Sequence, residues 1–437
     1  MTVVILHLRG SLKDAPYDQW LADYDGDLIL LASREHMDLL GEELPAEHGY
    51  LIAETISGYQ ASGAVEARVL QLAREHDIKY VISPQEQDLD RAARLREILD
   101  LPGQRTDSVT PYRDKILMKR TVSAAGVPVA IHRDVETAVD LVAFAEEHGF
   151  PIVVKPRDGA GSFGVRILRS REALDDFLTG GLELYGPFGS NLMVEKFVSE
   201  TMCHVDGLVV NGQVVYMWPS RYLYALAVYE KDRSGRMDVT LDPDDPLTPR
   251  LVELTEKVIA ALPSPPDFAF HAEIFHTPDD ELVLGEIGCR FGGAAQRPIQ
   301  RTAFGLDPAE CSIRAQLGLP LPIEPGERLR PRTLTGQLAL LKRPGKVLGL
   351  PGEAPFPWVV RTQLFVRPGT VMGEPGFAAD FMVMWVISAP TRAESVRRME
   401  QLKKWFLDNL ELGEADGPVD RRQVDYAGMT EGTGRGH

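Results

Sequence analysis

The run Gly159-Ala160-Gly161-Ser162-Phe163-Gly164 is preceded by Ile152–Lys155 and followed at once by Val165-Arg166-Ile167-Leu168, so a glycine-rich turn has β-forming sequence on both sides. The G-x-G-x-x-G spacing by itself has a dinucleotide-binding reading, but that reading requires a strand before the loop and a helix directly after it. A β-rich run after Gly164 removes that reading and leaves a hairpin of two strands with a glycine tip. Backbone N–H groups at such a tip can lie over phosphate oxygens, because glycine lacks the Cβ that would hold them away. Lys155, at the end of the first strand, adds a point charge for the same phosphates. The alternative that the loop alone leaves open is a plain flexible hairpin with a surface lysine.

The segments around this hairpin divide the chain. Val3–Leu6, Leu28–Leu31 and Tyr80–Ile82 are apolar runs of strand length, and Val65 to His76 between the last two is amphipathic through Val65, Val69, Leu70 and Leu72. Strands alternating with helices predict a parallel, doubly wound sheet. A helix over about Leu89 to Leu99 follows, and then one that Thr110 caps, Pro111 opens and Gly126 with Pro128 ends; it carries Lys115 and Lys119. Beyond the glycine hairpin the pattern predicts a helix near Arg171–Phe177, a strand at Leu192–Val194 and a hairpin of Val205–Val210 with Gln213–Trp218 around Asn211-Gly212. A helix over Thr255–Leu262 comes next, and Val359–Val366 and Phe381–Ile387 are strand-like. Thr391 with Glu394 forms a capping-box pattern opening a helix to about Leu410, and the polar, glycine-rich sequence after Gly413 reads as a frayed tail.

Glu273 and Glu286 are the more informative pair. With Asp279-Asp280 at the tip of their connection, a hairpin in regular register sets these glutamates opposite one another. Opposed like charges destabilise an antiparallel pair. A bound cation reverses the sign, and carboxylates together with nucleotide phosphates are a usual set of Mg²⁺ ligands. Period 2 keeps Glu286, Gly288 and Arg290 on one face, so a guanidinium stands near for anionic charge. Phe268, Phe270, Leu282 and Leu284 around the pair predict partial enclosure; a solvated strand face with a surface salt bridge is the alternative.

Charge and cysteine usage exclude other classes. Of 437 residues 44% are apolar and 25% charged, with a formal net charge of −17, which gives no broad footprint for phosphodiester backbones or anionic lipid. Neither a nucleic acid nor a membrane is an expected partner. Cys203, Cys289 and Cys311 stand singly and read as reduced thiols. Val3 to Leu8 is too short for a signal core, and the expected compartment is the cytoplasm. A homodimer is the default for a soluble oligomer.

In order along the chain stand Asp114-Lys115, Val153-Val154-Lys155-Pro156 with the glycine loop, Val194-Glu195-Lys196-Phe197-Val198, His271-Ala272-Glu273, and Glu286-Ile287-Gly288-Cys289-Arg290-Phe291-Gly292-Gly293. This series resembles the ATP-grasp superfamily, and within it the carboxylate-amine ligases such as the L-amino-acid ligases, over about residues 1 to 320 and more loosely to 410. The resemblance implies a multi-domain protein of α/β and α+β class, an N-terminal doubly wound α/β domain followed by a two-lobed ATP-grasp fold. The implied divisions are 1–110 for the N-terminal domain, 111–200 for the small lid subdomain with its preceding helix, 201–320 for the large subdomain with the metal site, 321–412 for a C-terminal lobe and 413–437 for a flexible tail. Lys115 and Lys155 match the lysines that hold ATP phosphates, and Gly159, Ala160, Gly161, Ser162 and Gly164 the mobile loop over them. Glu195 to Val198 matches the hinge, where backbone groups of Lys196 and Val198 read the adenine edge. Glu273 and Glu286 match the Mg²⁺ ligands, with Mn²⁺ as the alternative ion, and Arg290 the arginine that contacts the transferred phosphate and the reacting acyl group.

Two positions depart from the family pattern. Gly288 stands where an asparagine is frequent, and near Met202 the family has an acidic residue for the ribose, for which Glu200, Asp206 or neither is the replacement. The implied reaction is attack of a substrate carboxylate on the γ-phosphate of Mg-ATP, then displacement of phosphate from the acyl phosphate by an amine. The expected partners are small carboxylates and amines, amino acids first among them. Ser220, Arg221 and Arg297 are candidates for holding a substrate carboxylate, with ordinary surface arginines as the alternative. His204 and His271 read as packed or hydrogen-bonded histidines. The competing functional readings are a bicarbonate-phosphorylating carboxylase-type enzyme and a nucleotide-binding module without turnover.

Overall fold

The apolar runs at the amino end pair as parallel strands. Thr2–His7 lies between Asp27–Ser33 and Ile78–Ile82, and Ile52–Ile56, which sequence patterning does not single out, adds the outer strand beside Asp27–Ser33. In this computed structural model, described for residues 1–45, 49–162, 164–180, 191–199, 201–224, 235–324, 326–375 and 380–416, every residue of Thr2–His7 is buried. Alternate side chains serve opposite faces. Val4 and Leu6 pack with Val65, Val69 and Leu72, whereas Val3 and Ile5 belong with Tyr17, Trp20 and, from far along the chain, Ile313 and Leu317. The second face of the sheet is thus completed by the helix Pro308–Gln316, which docks the N-terminal domain against the rest.

The helix expected to begin at Thr110 is two helices, Thr106–Arg113 and Lys115–Ala124. Asp114 is the cap between them, its carboxylate accepting from the backbone N–H groups of Ile116 and Leu117. Pro111 sits inside the first helix, where Thr106 rather than Thr110 opens the turn. The break turns Lys115 into the first residue of a new helix.

A four-stranded antiparallel sheet follows, in the order His132–Val135, Leu192–Lys196, Ile152–Pro156, Arg166–Leu168. The glycine loop joins its last two strands, as the β-rich run after Gly164 predicts. Leu141 and Phe144 from helix Ala138–His148 and Leu174 and Phe177 from helix Arg171–Gly180 fill its covered face.

The largest sheet has eight strands, all antiparallel to their neighbours, in the order Leu282–Gly288, Phe268–His276, Met202–Val210, Gln213–Tyr222, Arg236–Thr240, Leu334–Leu341, Phe381–Ala389, Val359–Leu364. It joins strands from both sides of position 320, through the pairing of Arg236–Thr240 with Leu334–Leu341. Asn211 and Gly212 turn the hairpin at φ values of 51° and 73°, the left-handed pair that an Asn-Gly turn supplies. Thr391 caps the helix Arg392–Asn409 by accepting from the Glu394 N–H, but the Glu394 carboxylate turns to Arg397 and Arg398 instead of closing a box. The expected frayed tail after Gly413 lies outside the described residues from position 417. Among the described residues no helix is long and apolar enough to cross a membrane, and the three cysteines are free and buried.

Gly207, in the middle of Met202–Val210, shows how tightly this sheet is covered. A Cβ there would run into the ring of Phe270 and lie 2.6 Å from the Tyr216 carbonyl oxygen. Gly207→Ala therefore destabilises the fold by about 1–3 kcal/mol through overpacking, read as a lower melting temperature in thermal denaturation; an unchanged value would mean that the Phe270 ring moves aside freely.

Candidate functional site

Between the four-stranded sheet and the eight-stranded sheet lies a cleft of about 320 Å³. The small sheet supplies Lys155 near the end of Ile152–Pro156 and the loop residues Gly159 to Ser162; Phe163 lies outside the described residues. Lys115 enters from the helix that Asp114 caps. Across the cleft stand Glu273, Glu286 and Arg290, all facing the same space. Lys196 and Val198 line its end, and the Lys196 ammonium donates to the carbonyls of His148 and Gly149, away from the cleft.

Glu273 and Glu286 are direct cross-strand partners, but regular register is not the reason. His276 pairs with Leu282 across a five-residue connection, a register that would set Glu273 against Gly285. The register shifts by one residue between Glu273 and Ile274, leaving Gly285 as a bulge and bringing Glu286 into line. The two carboxylates are partly enclosed, with 21% and 32% of their side chains exposed. Glu286 has the Lys115 ammonium at 3.2 Å and Glu273 the His271 ring at 3.7 Å. Facing carboxylates at such a cleft are an oxygen donor set that fits Mg²⁺ or Mn²⁺.

Beneath them lies a charge cluster that sequence patterning did not assemble. Glu195, placed with the hinge by resemblance, turns its side chain inward: Lys155 donates to Oε1 at 2.5 Å and Lys119 Nζ is 3.1 Å from Oε2. Burial alone would raise the Glu195 carboxyl, yet the two ammonium groups outweigh it and hold the pKa down at about 2. Lys119 is wholly buried, which lowers its pKa despite Glu195, and it also donates to the Gly285 carbonyl at 2.9 Å. It therefore braces the bulge that aligns the glutamates. The sequence places Lys119 on the same helix as Lys115, four residues on, but assigns it no role. Lys115 itself donates to the Gly159 carbonyl at 2.5 Å, tying the glycine loop to the strand that carries Glu286.

Arg290 reaches the N-terminal domain. Its Nε donates to Glu86 Oε2 at 2.5 Å and its Nη1 to the Phe291 carbonyl at 2.7 Å, while Arg113 donates to Glu86 Oε1 at 2.6 Å. Burial opposes ionisation of Glu86, but Arg290 and Arg113 prevail and set its pKa at about 2. Gly288 is part of the same arrangement, since a Cβ there would lie 3.4 Å from Glu86 Oε2. Glu86 thus faces the position where the resemblance expects an asparagine side chain. Because the folded pKa is lowered, this contribution to stability is whole above the usual value of 4.5 and is lost as the pH falls toward about 2. Melting temperature should drop over that acid window, and Glu86→Gln should flatten the drop; an equally steep decline in the variant would remove Glu86 as its cause.

Behind Glu273 runs a buried chain of hydrogen bonds. Asp206 receives His204 Nδ1 at 2.6 Å on one oxygen and His271 Nδ1 at 2.9 Å on the other, and His204 Nε2 meets Asp238 at 2.9 Å. His204, Asp206 and His271 lie close enough together to hold a metal ion, but their hydrogen bonds engage Asp206 and the Nδ1 atoms of both histidines with one another. Burial would depress the His271 imidazolium; Asp206 and Glu273 overcome that and raise its pKa to about 9. Asp206 is thereby committed away from a ribose, and Glu200 lies outside the described residues. Both histidines are the hydrogen-bonded residues the sequence predicts.

The three substrate candidates stand apart from the cleft. Ser220 is buried within Gln213–Tyr222, and strand alternation turns Arg221 to the face opposite Tyr222, whose hydroxyl approaches Glu273 at 3.5 Å. Arg297 donates to both oxygens of Asp307 and to the Asp14 carbonyl, with its guanidinium over Trp20 and Phe291. It is a strut between domains.

The profile of the family described as carbamoyl-phosphate synthase L chain, ATP binding domain, matches residues 114–214, the stretch that holds both lysines, the glycine loop and the hinge. The L-arginine-specific L-amino acid ligase of Bacillus subtilis is 25% identical over 270 residues, 61% of this chain and 64% of that protein, so the match spans less than two thirds of the relative's length. Among solved structures, L-amino acid ligase from Bacillus licheniformis superposes with a TM-score of 0.73 at 18% identity, over 94% of this chain and 98% of that one. The biotin carboxylase domain of 2-oxoglutarate carboxylase from Hydrogenobacter thermophilus, in complex with MgADP and bicarbonate, gives a TM-score of 0.65 at 17% identity, over 94% and 90%.

Proposed function

We propose that the chain is an ATP-grasp enzyme and, within that superfamily, an ATP-dependent carboxylate-amine ligase, joining two small molecules, at least one of them an amino acid, through an acyl phosphate. The observation that carries the reading is the cross-strand pair Glu273 and Glu286, opposed across one cleft to Lys115, Lys155 and a glycine loop, with Arg290 beside them. A carboxylate oxygen of the first substrate attacks the γ-phosphorus of ATP, the bond to the β-phosphate oxygen breaks, and ADP leaves. The amine nitrogen of the second substrate then attacks the acyl carbon, and phosphate departs with the amine proton. Glu273 and Glu286 would hold a magnesium ion arriving with ATP, which would supply neutralisation of phosphate charge.

The protein's own part is position and charge. Lys115 and Lys155 hold the phosphates, the first from a helix terminus and the second braced by Glu195. Backbone groups of Lys196 and Val198 hold the adenine edge. Arg290 faces the acyl group with its Nε fixed by Glu86, so its orientation exists before substrate arrives. The loop from Gly159 to Ser162 closes over the acyl phosphate and excludes water, which would otherwise hydrolyse it.

The likeness in fold to a bicarbonate-bound carboxylase domain favours one second reading, phosphorylation of bicarbonate. Both are tested by ADP and phosphate release from Mg-ATP against a panel of amino acids, small carboxylates and bicarbonate, with mass spectrometry of products. A carboxylate-dependent release with a dehydrated adduct is the expected result. Bicarbonate-dependent release would transfer the assignment to the carboxylase type, and ATP binding without any turnover would leave a nucleotide-binding module.

A further inference from the structure

A second cavity of about 230 Å³ lies where the N-terminal domain, the helix Gln296–Phe304 and the C-terminal strands meet. It adjoins the nucleotide cleft, since Ala294, four residues after Arg290, lines both. Ala294 holds a φ of 52°, a left-handed conformation rare for a residue with a Cβ, at the point where the two spaces join. Four of the residues lining the cavity are arginines, Arg9, Arg297, Arg301 and Arg361, and they come from three separate parts of the chain; the acidic residue lining it is Asp14. Asp307 stands behind them as the partner of Arg297.

These guanidinium groups are not equally engaged. Arg297 is spent on Asp307 and the Asp14 carbonyl. Arg301 has Asp307 only at 3.7 Å and keeps 59% of its side chain exposed, and Arg361 meets an Asp14 that is itself 52% exposed, at 3.2 Å. A fork that meets its carboxylate at such lengths retains donor capacity for a planar anion. Arg301 rises from the Gln296–Phe304 helix and Arg361 from the strand Val359–Leu364, so one ligand that satisfies both bridges two lobes. The aromatic rings of Tyr17, Trp20 and Phe291 line the same space and supply apolar area beside the charges.

We propose that this cavity seats the amine substrate, and that this substrate is an amino compound carrying at least two anionic groups, with Arg301 and Arg361 as its anchors. The assignment rests on the ligase reading above. The acyl donor must place its carboxylate among the phosphate-binding residues, whereas the amine need reach only the acyl carbon, so its body can occupy the adjoining space past Ala294. One carboxylate needs one fork. Two partly engaged forks on different lobes select a ligand with a second anion, either a carboxylate, as in an acidic amino acid, or a phosphate, as in a phosphorylated one.

The test is equilibrium binding by calorimetry to the full chain with Mg²⁺ and a non-hydrolysable ATP analogue. L-glutamate and O-phospho-L-serine are the dianionic probes, and L-glutamine and L-serine their counterparts with one anion fewer. A dianionic probe should bind at least about tenfold more tightly than its counterpart, and Arg301→Gln or Arg361→Gln should each remove about tenfold of that preference. Arg301→Lys and Arg361→Lys should retain part of it, and Arg171→Gln, an equal loss of charge at an exposed site, should leave it whole. The glutamate and phosphoserine arms identify which second anion the cavity takes. Because the first comparison uses the unaltered protein, a variant that fails to fold does not decide the outcome. Equal binding of glutamate and glutamine and of phosphoserine and serine, or a preference that survives both glutamine substitutions, overturns the proposal. Turnover with neutral amines and no binding of the dianionic probes overturns it while the ligase reading stands; arginine-dependent binding with no ADP release from any carboxylate supports the anionic cavity and removes the ligase.

Discussion

Arg290→Ala lowers carboxylate-dependent ADP release by about 10²–10³-fold, the usual cost of losing one preorganised donor aimed at developing anionic charge. The loss should fall mainly on kcat, because on the proposed reading Lys115 and Lys155 still hold the phosphates, so the KM for ATP should be little changed. Lysine is a poor substitute here. The Arg290 guanidinium donates through Nε to Glu86 and through Nη1 to the Phe291 carbonyl while facing the cleft, and a single ammonium cannot reproduce that geometry. Glu86 keeps its bond to Arg113 in the variant but loses Arg290, the larger of the two charges that hold its buried carboxyl down, so the fold should persist with a lower melting temperature. Steady-state kinetics on Arg290→Ala and Arg290→Lys check this, and wild-type kcat in either would remove Arg290 from the chemistry.

The second large effect is on stability. Glu195→Ala leaves Lys119, which is wholly buried, and Lys155 without their shared carboxylate. Breaking a buried ion pair from one side typically costs about 3–5 kcal/mol, because an uncompensated charge stays enclosed. The sign of the pH response follows. With Glu195 gone, enclosure favours the neutral amine in the folded state, so the defect should shrink as the pH rises toward the usual lysine value of 10.5. Chemical denaturation at neutral and alkaline pH measures both parts. Adding Lys119→Met should recover part of the loss, and a single variant as stable as the parent would mean that solvent reaches the lysines.

Several of these residues were legible in the sequence because the chemistry is local. The glycine hairpin, its lysine and the Asn-Gly turn need only a few neighbouring positions to be recognised, and each forms as its pattern predicts. The Glu273 and Glu286 pair was legible for an incomplete reason: a five-residue connection shifts the register by one, and the Gly285 bulge shifts it back. Alternation of apolar residues carries no mark of either change. Asp114 was visible as a residue of the motif but not as a helix cap, since Thr110-Pro111 offers a stronger local start signal than the break four residues later. Glu86, Lys119 and the inward turn of Glu195 depend on contacts between segments 40 to 204 positions apart, which no short-range pattern encodes. Arg297 illustrates the converse, an arginine with the right chemistry for an anion that tertiary contacts with Asp307 and Asp14 consume.

The eight-stranded sheet bears on how such a chain can be divided. Arg236–Thr240 is buried along its whole length and is paired on one side with Gln213–Tyr222 and on the other with Leu334–Leu341. Ending the polypeptide at the boundary near position 320 would strip one of those partners and bare a row of unpaired backbone groups on a strand that is buried in the whole chain, a template for intermolecular pairing and aggregation. The carboxyl-terminal portion is therefore not a detachable appendage. It is the continuation of the same sheet on which the hairpin of Glu273 and Glu286 is built, and fusions or domain exchanges within this chain must carry both halves together.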